Sequence, residues 1–303
     1  QSLATLIYYP KEKMDRIKQE EDNMEDWYKI TLYRLIEVCK RTASKYTRSK
    51  VRKALPPDFA YVIEELITEK AEVLDKEAYY DSIVNTIIEI GSAENFIIAL
   101  AELIQRLVVD HLHILGDIYD RGPAPHFIMD RLMQYHSLDI QWGNHDVVWM
   151  GAAAGSPLCI MTVLKTTLAY NNLDTLEGGY GISLRRLERF AQHTYADSDV
   201  SRWLPHADQR TAAGDLTAAA RMHKAVTVMM LKLEAQVIAR NPDFDLQGRD
   251  FLNHIDFAAG TVDYFGTTYP LLDCDFPTVD PANPAALTAD EEKIAAELVR
   301  SFA

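Results

Sequence analysis

Two short acidic motifs contain the residue types that metal-dependent phosphate chemistry requires. The first is Gly-Asp-Ile-Tyr-Asp-Arg-Gly at residues 116–122, and the second is Gly-Asn-His-Asp at residues 143–146. Hard divalent cations such as Mg²⁺ and Mn²⁺ accept carboxylate and amide oxygens as ligands. Two such ions together activate water and hold a phosphate group for in-line attack. The motifs therefore point to phosphate-ester hydrolysis at a two-metal site.

Two side chains in these motifs are candidate metal ligands. Asp117 follows a glycine and suits the carboxylate that bridges two cations, while Asn144 offers a neutral amide oxygen to one of them. A neutral second ligand keeps the charge of the site low enough to admit an anionic substrate. The expected cofactor is a pair of Mn²⁺ or Mg²⁺ ions.

Four further side chains are candidate catalytic residues. His145 is placed to protonate a departing alkoxide, and Asp146 is expected to orient its imidazole ring. Arg121 presents a planar fork of donors that suits substrate phosphate oxygens. Asp120 is expected to hold the loop or Arg121 in place. Taken singly, these motifs are also common in turns and helix caps, so the interpretation depends on their occurring together.

The elements around the motifs predict that they meet in space. Residues 108–115 and 138–142 are short, apolar and typical of strands, and residues 123–135 between them have the spacing of a helix. A strand, a helix and a strand with short connections form a βαβ unit, whose strands are parallel. Ligands of such sheets bind beyond the carboxyl ends of the strands, which is where both motifs lie.

The whole chain divides into four predicted regions. Residues 1–107 form an α-helical region, residues 108–240 a portion of an α/β core, and residues 241–280 a β-meander insertion. Residues 281–303 contain the start of a further helix, marked by a capping box at Thr288 and Glu291. We expect this last helix to be truncated, because no stop signal follows it.

Composition limits the partners. The net charge of −14, from 45 acidic and 31 basic residues, argues against nucleic acid. The most apolar stretch, residues 96–109, is interrupted by charged and polar residues and predicts no membrane span. Three widely separated cysteines fit a reduced, cytoplasmic protein. The expected partner is a small molecule, and a homo-oligomer is left open.

A family resemblance narrows the substrate. The two motifs resemble those of the calcineurin-like metallophosphoesterase superfamily. The longer segments 110–123 and 139–146, with 6–10 and 24–28, resemble the bacterial class III fructose-1,6-bisphosphatases over essentially the whole chain. The resemblance implies a calcineurin-like core with a helical insertion, and hydrolysis of the small-molecule sugar bisphosphate fructose 1,6-bisphosphate to fructose 6-phosphate, a gluconeogenic step. It also implies that Asp117 bridges the metals, Asn144 binds the second and His145 is the acid.

The sequence departs from that family in one respect. It contains no Asp-x-His and no Gly-His-x-His element, which the family uses for its remaining metal ligands. We therefore expect a piece of a longer enzyme that is inactive by itself. Two alternatives stay open at this point: a catalytically inactive scaffold of the same fold, and a protein or nucleotide phosphatase of the same superfamily.

Overall fold

The computed structural model describes residues 3–68, 76–206 and 213–303. The helices are α1 (Leu3–Tyr8), α2 (Pro10–Glu20), α3 (Met24–Ala43), α4 (Arg48–Ala54), α5 (Ala60–Thr68), α6 (Lys76–Glu89), α7 (Ala93–Val108), α8 (Pro125–Met133), α9 (Asn144–Ala153), α10 (Pro157–Ala169), α11 (Arg185–Thr194), α12 (Ala213–Arg240) and α13 (Ala289–Phe302). The strands are β1 (Leu112–Ile114), β2 (Leu138–Ile140), β3 (Ile255–Asp256), β4 (Thr261–Tyr264) and β5 (Thr267–Pro270). The chain is thus a mixed α/β protein in which helices predominate.

The described residues form two compact units. The first contains residues 1–112 and 136–139, and the second contains residues 113–135 and 140–303. In the first unit, the apolar faces of α1, α3 and α7 meet in a core whose largest fully buried side chain is Phe96. Spacing of apolar residues at three and four positions along α3 and α7 explains why these faces are continuous.

The second unit contains the two motifs. Its core is built where α10 packs on α12 and α9, with α11 and α13 closing the sides. Two lysines of α12 are buried in it with acidic partners. Lys232 lies 2.8 Å from Glu291, both fully buried, and Lys224 lies 2.7 Å from Asp275. These pairs tie α12 to α13 and to the connector that precedes it.

The predicted βαβ unit is present, with shorter strands than expected. Helix α7 continues to Val108, and β1 begins only at Leu112, so the predicted strand at residues 108–115 is wrong over its first half. β1 and β2 form a two-stranded sheet. Its backbone hydrogen bonds run from Leu112 to Ser137 and from Gln141 to Ile114, which is the parallel pattern.

Two other predictions are confirmed by the structure. β3, β4 and β5 form an antiparallel meander in sequence order, with Ile255 opposite Val262 and Val262 opposite Tyr269. At the start of α13, the Thr288 hydroxyl accepts the Glu291 N–H, and the Glu291 carboxylate accepts the Thr288 N–H at 2.8 Å. This reciprocal capping box is the one that the sequence predicts.

No helix in the described part of the chain is long and apolar enough to span a membrane. The predicted division into four regions with boundaries at residues 107, 240 and 280 stays a prediction.

Candidate active site

The two motifs come together because each contains a glycine that lets the backbones touch. A Cβ at Gly116, whose φ is +89°, would lie 2.4 Å from the backbone of both Gln141 and Gly143. A Cβ at Gly143 would lie 2.0 Å from Oδ1 of Asp117. Any larger side chain at either position would push the two loops apart. The glycines therefore hold the Asp117 carboxylate against the start of α9.

The predicted metal ligands lie close together at this point. Oδ1 of Asp117 accepts a hydrogen bond from the backbone N–H of His145 at 3.3 Å, and Asn144 is the preceding residue and the first of α9. Both Asp117 and Asn144 are exposed. Asp117 adopts a left-handed backbone conformation with φ of +53°, which is uncommon for a residue with a side chain. That conformation turns the chain in the loop that follows β1.

Asp146 has a different position from the one predicted. Its carboxylate is buried at 1% exposure and accepts three backbone N–H groups: those of Asp117 at 2.6 Å, Gly143 at 3.0 Å and Tyr119 at 3.1 Å. The expectation that Asp146 orients the His145 ring is therefore wrong in this structure. Asp146 instead clamps the two motif loops together at the N-terminus of α9, where a carboxylate is also favoured by the helix dipole.

Asp120 occupies the place predicted for Asp146. Its Oδ1 lies 2.8 Å from Nε2 of His145 and 3.3 Å from Nε of Arg121. This oxygen is buried and accepts no well-aligned hydrogen bond from either side chain, so both contacts are ones of proximity. The prediction that Asp120 holds the loop or Arg121 stays a prediction, and the contact with His145 was not part of it.

Arg121 is braced by the turn that follows α10. Its guanidinium carbon lies 5.4 Å from the centre of the Tyr170 ring, a cation–π arrangement. Its backbone carbonyl accepts a hydrogen bond from the Asn172 side chain at 2.7 Å. The guanidinium is 59% exposed and stays available to an anion. Sequence reasoning did not identify Tyr170 or Asn172, because nothing in their spacing connects them to residue 121.

A small cavity of about 120 Å³ lies beside these residues. Asp120, Asn144 and His145 line one side, and the threonines of α10 and the following turn line the other. Those threonines are Thr162, Thr166, Thr167 and Thr175. The wall is rich in hydroxyl groups, which suits hydrogen bonding to water or to a polar ligand. Its threonines were also missed by the sequence analysis, which assigned residues 108–240 only to a portion of an α/β core.

An aromatic cluster covers the other side of the first motif. The Tyr119 ring packs on Trp149 with centroids 4.6 Å apart, and its hydroxyl lies 2.6 Å from that of Tyr180. Burial, with the hydroxyl of Tyr180 as a second cause, raises the pKa of Tyr119 well above its ordinary value of 10. Tyr119 therefore stays neutral, and its role is to pack the motif loop against α9.

The oxygen donors present here are of the kind that divalent metal ions bind, but they are too few to complete a site. An exposed carboxylate and an exposed amide oxygen at the start of α9 are ligands of the type that Mn²⁺ and Mg²⁺ prefer. Within residues 3–68, 76–206 and 213–303, however, no group of three or more His, Cys, Asp and Glu is arranged to hold a metal ion. A complete two-metal site needs ligands beyond these two.

Comparisons with known proteins identify the family. The model of the Firmicute fructose-1,6-bisphosphatase family matches residues 1–303. Fructose-1,6-bisphosphatase class 3 proteins of Clostridium beijerinckii, Clostridium botulinum and Porphyromonas gingivalis are 53%, 54% and 51% identical to 99% of this chain. The chain covers 46% of each of these relatives, slightly less than half of their length. No solved structure matches. The chain, with both acidic motifs in place, therefore belongs to the Firmicute fructose-1,6-bisphosphatase family.

Proposed function

We propose that this chain provides part of the catalytic site of a metal-dependent phosphatase that hydrolyses fructose 1,6-bisphosphate to fructose 6-phosphate and phosphate. The observation that carries the proposal is the 53% identity, along 99% of the chain, to a protein named fructose-1,6-bisphosphatase class 3. The relatives' names favour a sugar bisphosphate over a phosphoprotein or a nucleotide. We also propose that the enzyme works in gluconeogenesis and in the cytoplasm.

The proposed core is of the calcineurin-like metallophosphatase type, of which this chain supplies β1, α8, β2 and the motif loops. Asp117 and Asn144 would hold the cations, Mn²⁺ or Mg²⁺, together with ligands from elsewhere in the full-length protein. When bound, the two ions supply Lewis-acid activation of water and neutralise charge on the phosphate. The hard oxygen donors at the start of α9 support this assignment.

The chain's own residues handle the phosphate and the proton. Arg121, exposed and braced by Tyr170 and Asn172, binds the phosphate oxygens through its planar fork. His145 donates a proton to the leaving sugar oxygen from one ring nitrogen, while Asp120 lies 2.8 Å from the other and fixes the ring. Asp146 acts on the reaction only through the backbone that positions Asp117. Neither step needs a covalent phospho-enzyme.

The partners follow from the same chemistry. The substrate is a small sugar bisphosphate, and a net charge of −14 supports neither a nucleic-acid substrate nor an anionic membrane surface. A homo-oligomer is compatible with the proposal, which places all of the named side chains in one copy of the chain.

A chimera tests the proposal directly. This chain would replace the matched segment of the Clostridium beijerinckii relative, and the purified chimera would be assayed for phosphate release with Mn²⁺. Asp120→Asn should lower kcat by roughly 10²-fold or more, as expected for loss of acid catalysis, while KM changes little. Asp130→Asn, at an exposed position on α8, is the matched control.

Two outcomes would contradict the proposal. A folded chimera that releases no phosphate from fructose 1,6-bisphosphate would favour a catalytically inactive scaffold. Faster hydrolysis of a phosphopeptide or a nucleoside monophosphate than of the sugar bisphosphate would favour another phosphatase of the same fold. Asn172→Ala adds a finer test, because a braced Arg121 predicts a higher KM with kcat retained.

A further inference from the structure

A basic groove lies between α11 and α13, outside the motif loops and the cavity beside His145. Three arginines and a histidine, Arg185, Arg186, Arg189 and His193, line it from α11. They recur at three and four positions, so they share one face of the helix. Its opposite face is buried through Leu187 and Ala191 in the core of the second unit. The backbone that carries the basic groups is thus anchored rigidly.

The groove is large enough for a small metabolite. Its volume is about 590 Å³, within the range of roughly 300–1,000 Å³ that ligand pockets occupy. Phe190 and the buried Ile294 supply an apolar portion of the lining. Ser183 and Thr194 add hydroxyl donors to the lining. This mixture of charge, hydroxyl and apolar surface is typical of a site for a compact charged organic molecule.

The charges in the groove leave part of its positive potential uncompensated. Arg186 is paired with Glu297 of α13 at 2.7 Å, and Asp290 is paired with Lys293 at 3.2 Å. Arg185 and Arg189 have no ion-pair partner among the described residues. In a chain with net charge −14, these two unpaired guanidinium groups beside a third give the groove a local excess of positive charge.

From these observations we infer that the groove between α11 and α13 is a binding site for a small phosphate-bearing metabolite. Arg185 and Arg189 would bind the phosphate with their forked donors, and the carbon skeleton would lie on Phe190. Glu297 holds Arg186 at the rim and opposes the incoming anion. The site shares no lining residue with the cavity beside His145, so it does not depend on the proposed function.

The test is a calorimetric titration of this chain in EDTA, which removes metal and prevents turnover. The probes are inorganic phosphate and phenyl phosphate at fixed ionic strength. Phenyl phosphate should bind several-fold more tightly, because its ring contacts the apolar lining. The double variant Arg185→Gln/Arg189→Gln should weaken binding of both probes by about tenfold or more, as expected for loss of two charged hydrogen-bond donors.

The matched control is Arg202→Gln/Arg240→Gln, which removes the same charge from two exposed positions of the same unit. If both double variants lost the same amount of binding affinity, the loss would come from the change in net charge alone, and the proposed site would be refuted. Unchanged binding in the groove variant would overturn it as well. Glu297→Gln should strengthen phosphate binding, and weaker binding in this variant would contradict the assigned position of the anion. Arg121→Gln should leave the groove's affinity unchanged, since Arg121 lies in the first motif loop and does not line the groove.

Discussion

The strongest test of the motif geometry is replacement of the buried carboxylate of Asp146. It accepts three backbone N–H groups in a position that is 1% exposed, two through Oδ2 and one through Oδ1. Asp146→Ala leaves all three donors without a partner, and each buried donor left unsatisfied costs about 1–3 kcal/mol. We therefore expect a loss of roughly 3 kcal/mol or more in the free energy of unfolding of the second unit.

Asp146→Asn separates hydrogen bonding from mere packing. Its amide oxygen can replace Oδ2 and keep the bonds to Asp117 and Gly143, but its NH₂ group then faces the N–H of Tyr119. The loss should be smaller, about 1–3 kcal/mol, from one unsatisfied contact and the missing charge. Asp197→Ala, at an exposed position, should change stability by less than about 0.5 kcal/mol.

Urea unfolding followed by circular dichroism measures the global effect, and hydrogen exchange of the amides of Asp117, Tyr119 and Gly143 measures the local one. Exchange at these three amides should accelerate in Asp146→Ala before the rest of the unit responds. If Asp146→Ala unfolded at the same urea concentration as the Asp197→Ala control, with the three amides still protected, the clamp would not exist. Equal losses of stability in Asp146→Asn and Asp146→Ala would also contradict the assignment of three hydrogen bonds to this carboxylate.

Three other perturbations test different parts of the structure. Lys232→Met strands the buried carboxylate of Glu291 and should cost about 3–5 kcal/mol by urea unfolding. Part of the loss should be recovered in Lys232→Met/Glu291→Gln, which removes the stranded charge and keeps an acceptor for the Thr288 N–H; a single variant as stable as the parent would contradict the buried pair. Burial lowers the pKa of His223 from its ordinary value of 6.5, so on acidification the unfolded chain takes up a proton before the folded chain does. The contribution of His223 to stability is therefore complete above pH 6.5 and is lost as the pH falls through the lower pKa of the folded state. His223→Gln should remove this part of the dependence of the unfolding free energy on pH. Gly143→Ala places a Cβ 2.0 Å from the carboxylate of Asp117, the proposed bridging ligand, and should lower the phosphatase activity of the chimera about 10²-fold. A Cβ at Gly122 meets nothing within 4 Å, so the control Gly122→Ala should retain activity.

Local patterns were sufficient for elements whose stabilising contacts are close in sequence. The capping box of α13 joins residues three apart, and the β-meander alternates around turns of a few residues, so both could be predicted from the sequence. Helix α9 was not predicted, because residues 144–153 are apolar on several sides and give no helical periodicity. The motif at its N-terminus was interpreted mainly as the end of a strand, with a helix cap as the alternative.

In the candidate site, too, sequence patterns identified the residues but not the contacts between individual side chains. Motif spacing led to Asp117, Asp120, Arg121, Asn144, His145 and Asp146 as a group. It assigned the partner of His145 to Asp146, the neighbour in sequence, whereas the structure places Asp120 there. Neighbours on a helix point in directions about 100° apart, so adjacent side chains seldom meet, and a residue from another loop often fills the gap.

The sequence by itself determined the residue types of the site, the βαβ order that brings the two motifs to one sheet edge, and the family. These follow from composition, short-range periodicity and motif identity. Only the tertiary structure decided which carboxylate clamps the loops and which one faces the imidazole. It also decided that Tyr170 and Asn172 brace Arg121 and that α11 presents its arginines to a groove. Such contacts join residues from 25 positions apart, as in Asp120 and His145, to 111 positions apart, as in Arg186 and Glu297. Their geometry depends on how helices pack in the core, which no local pattern encodes.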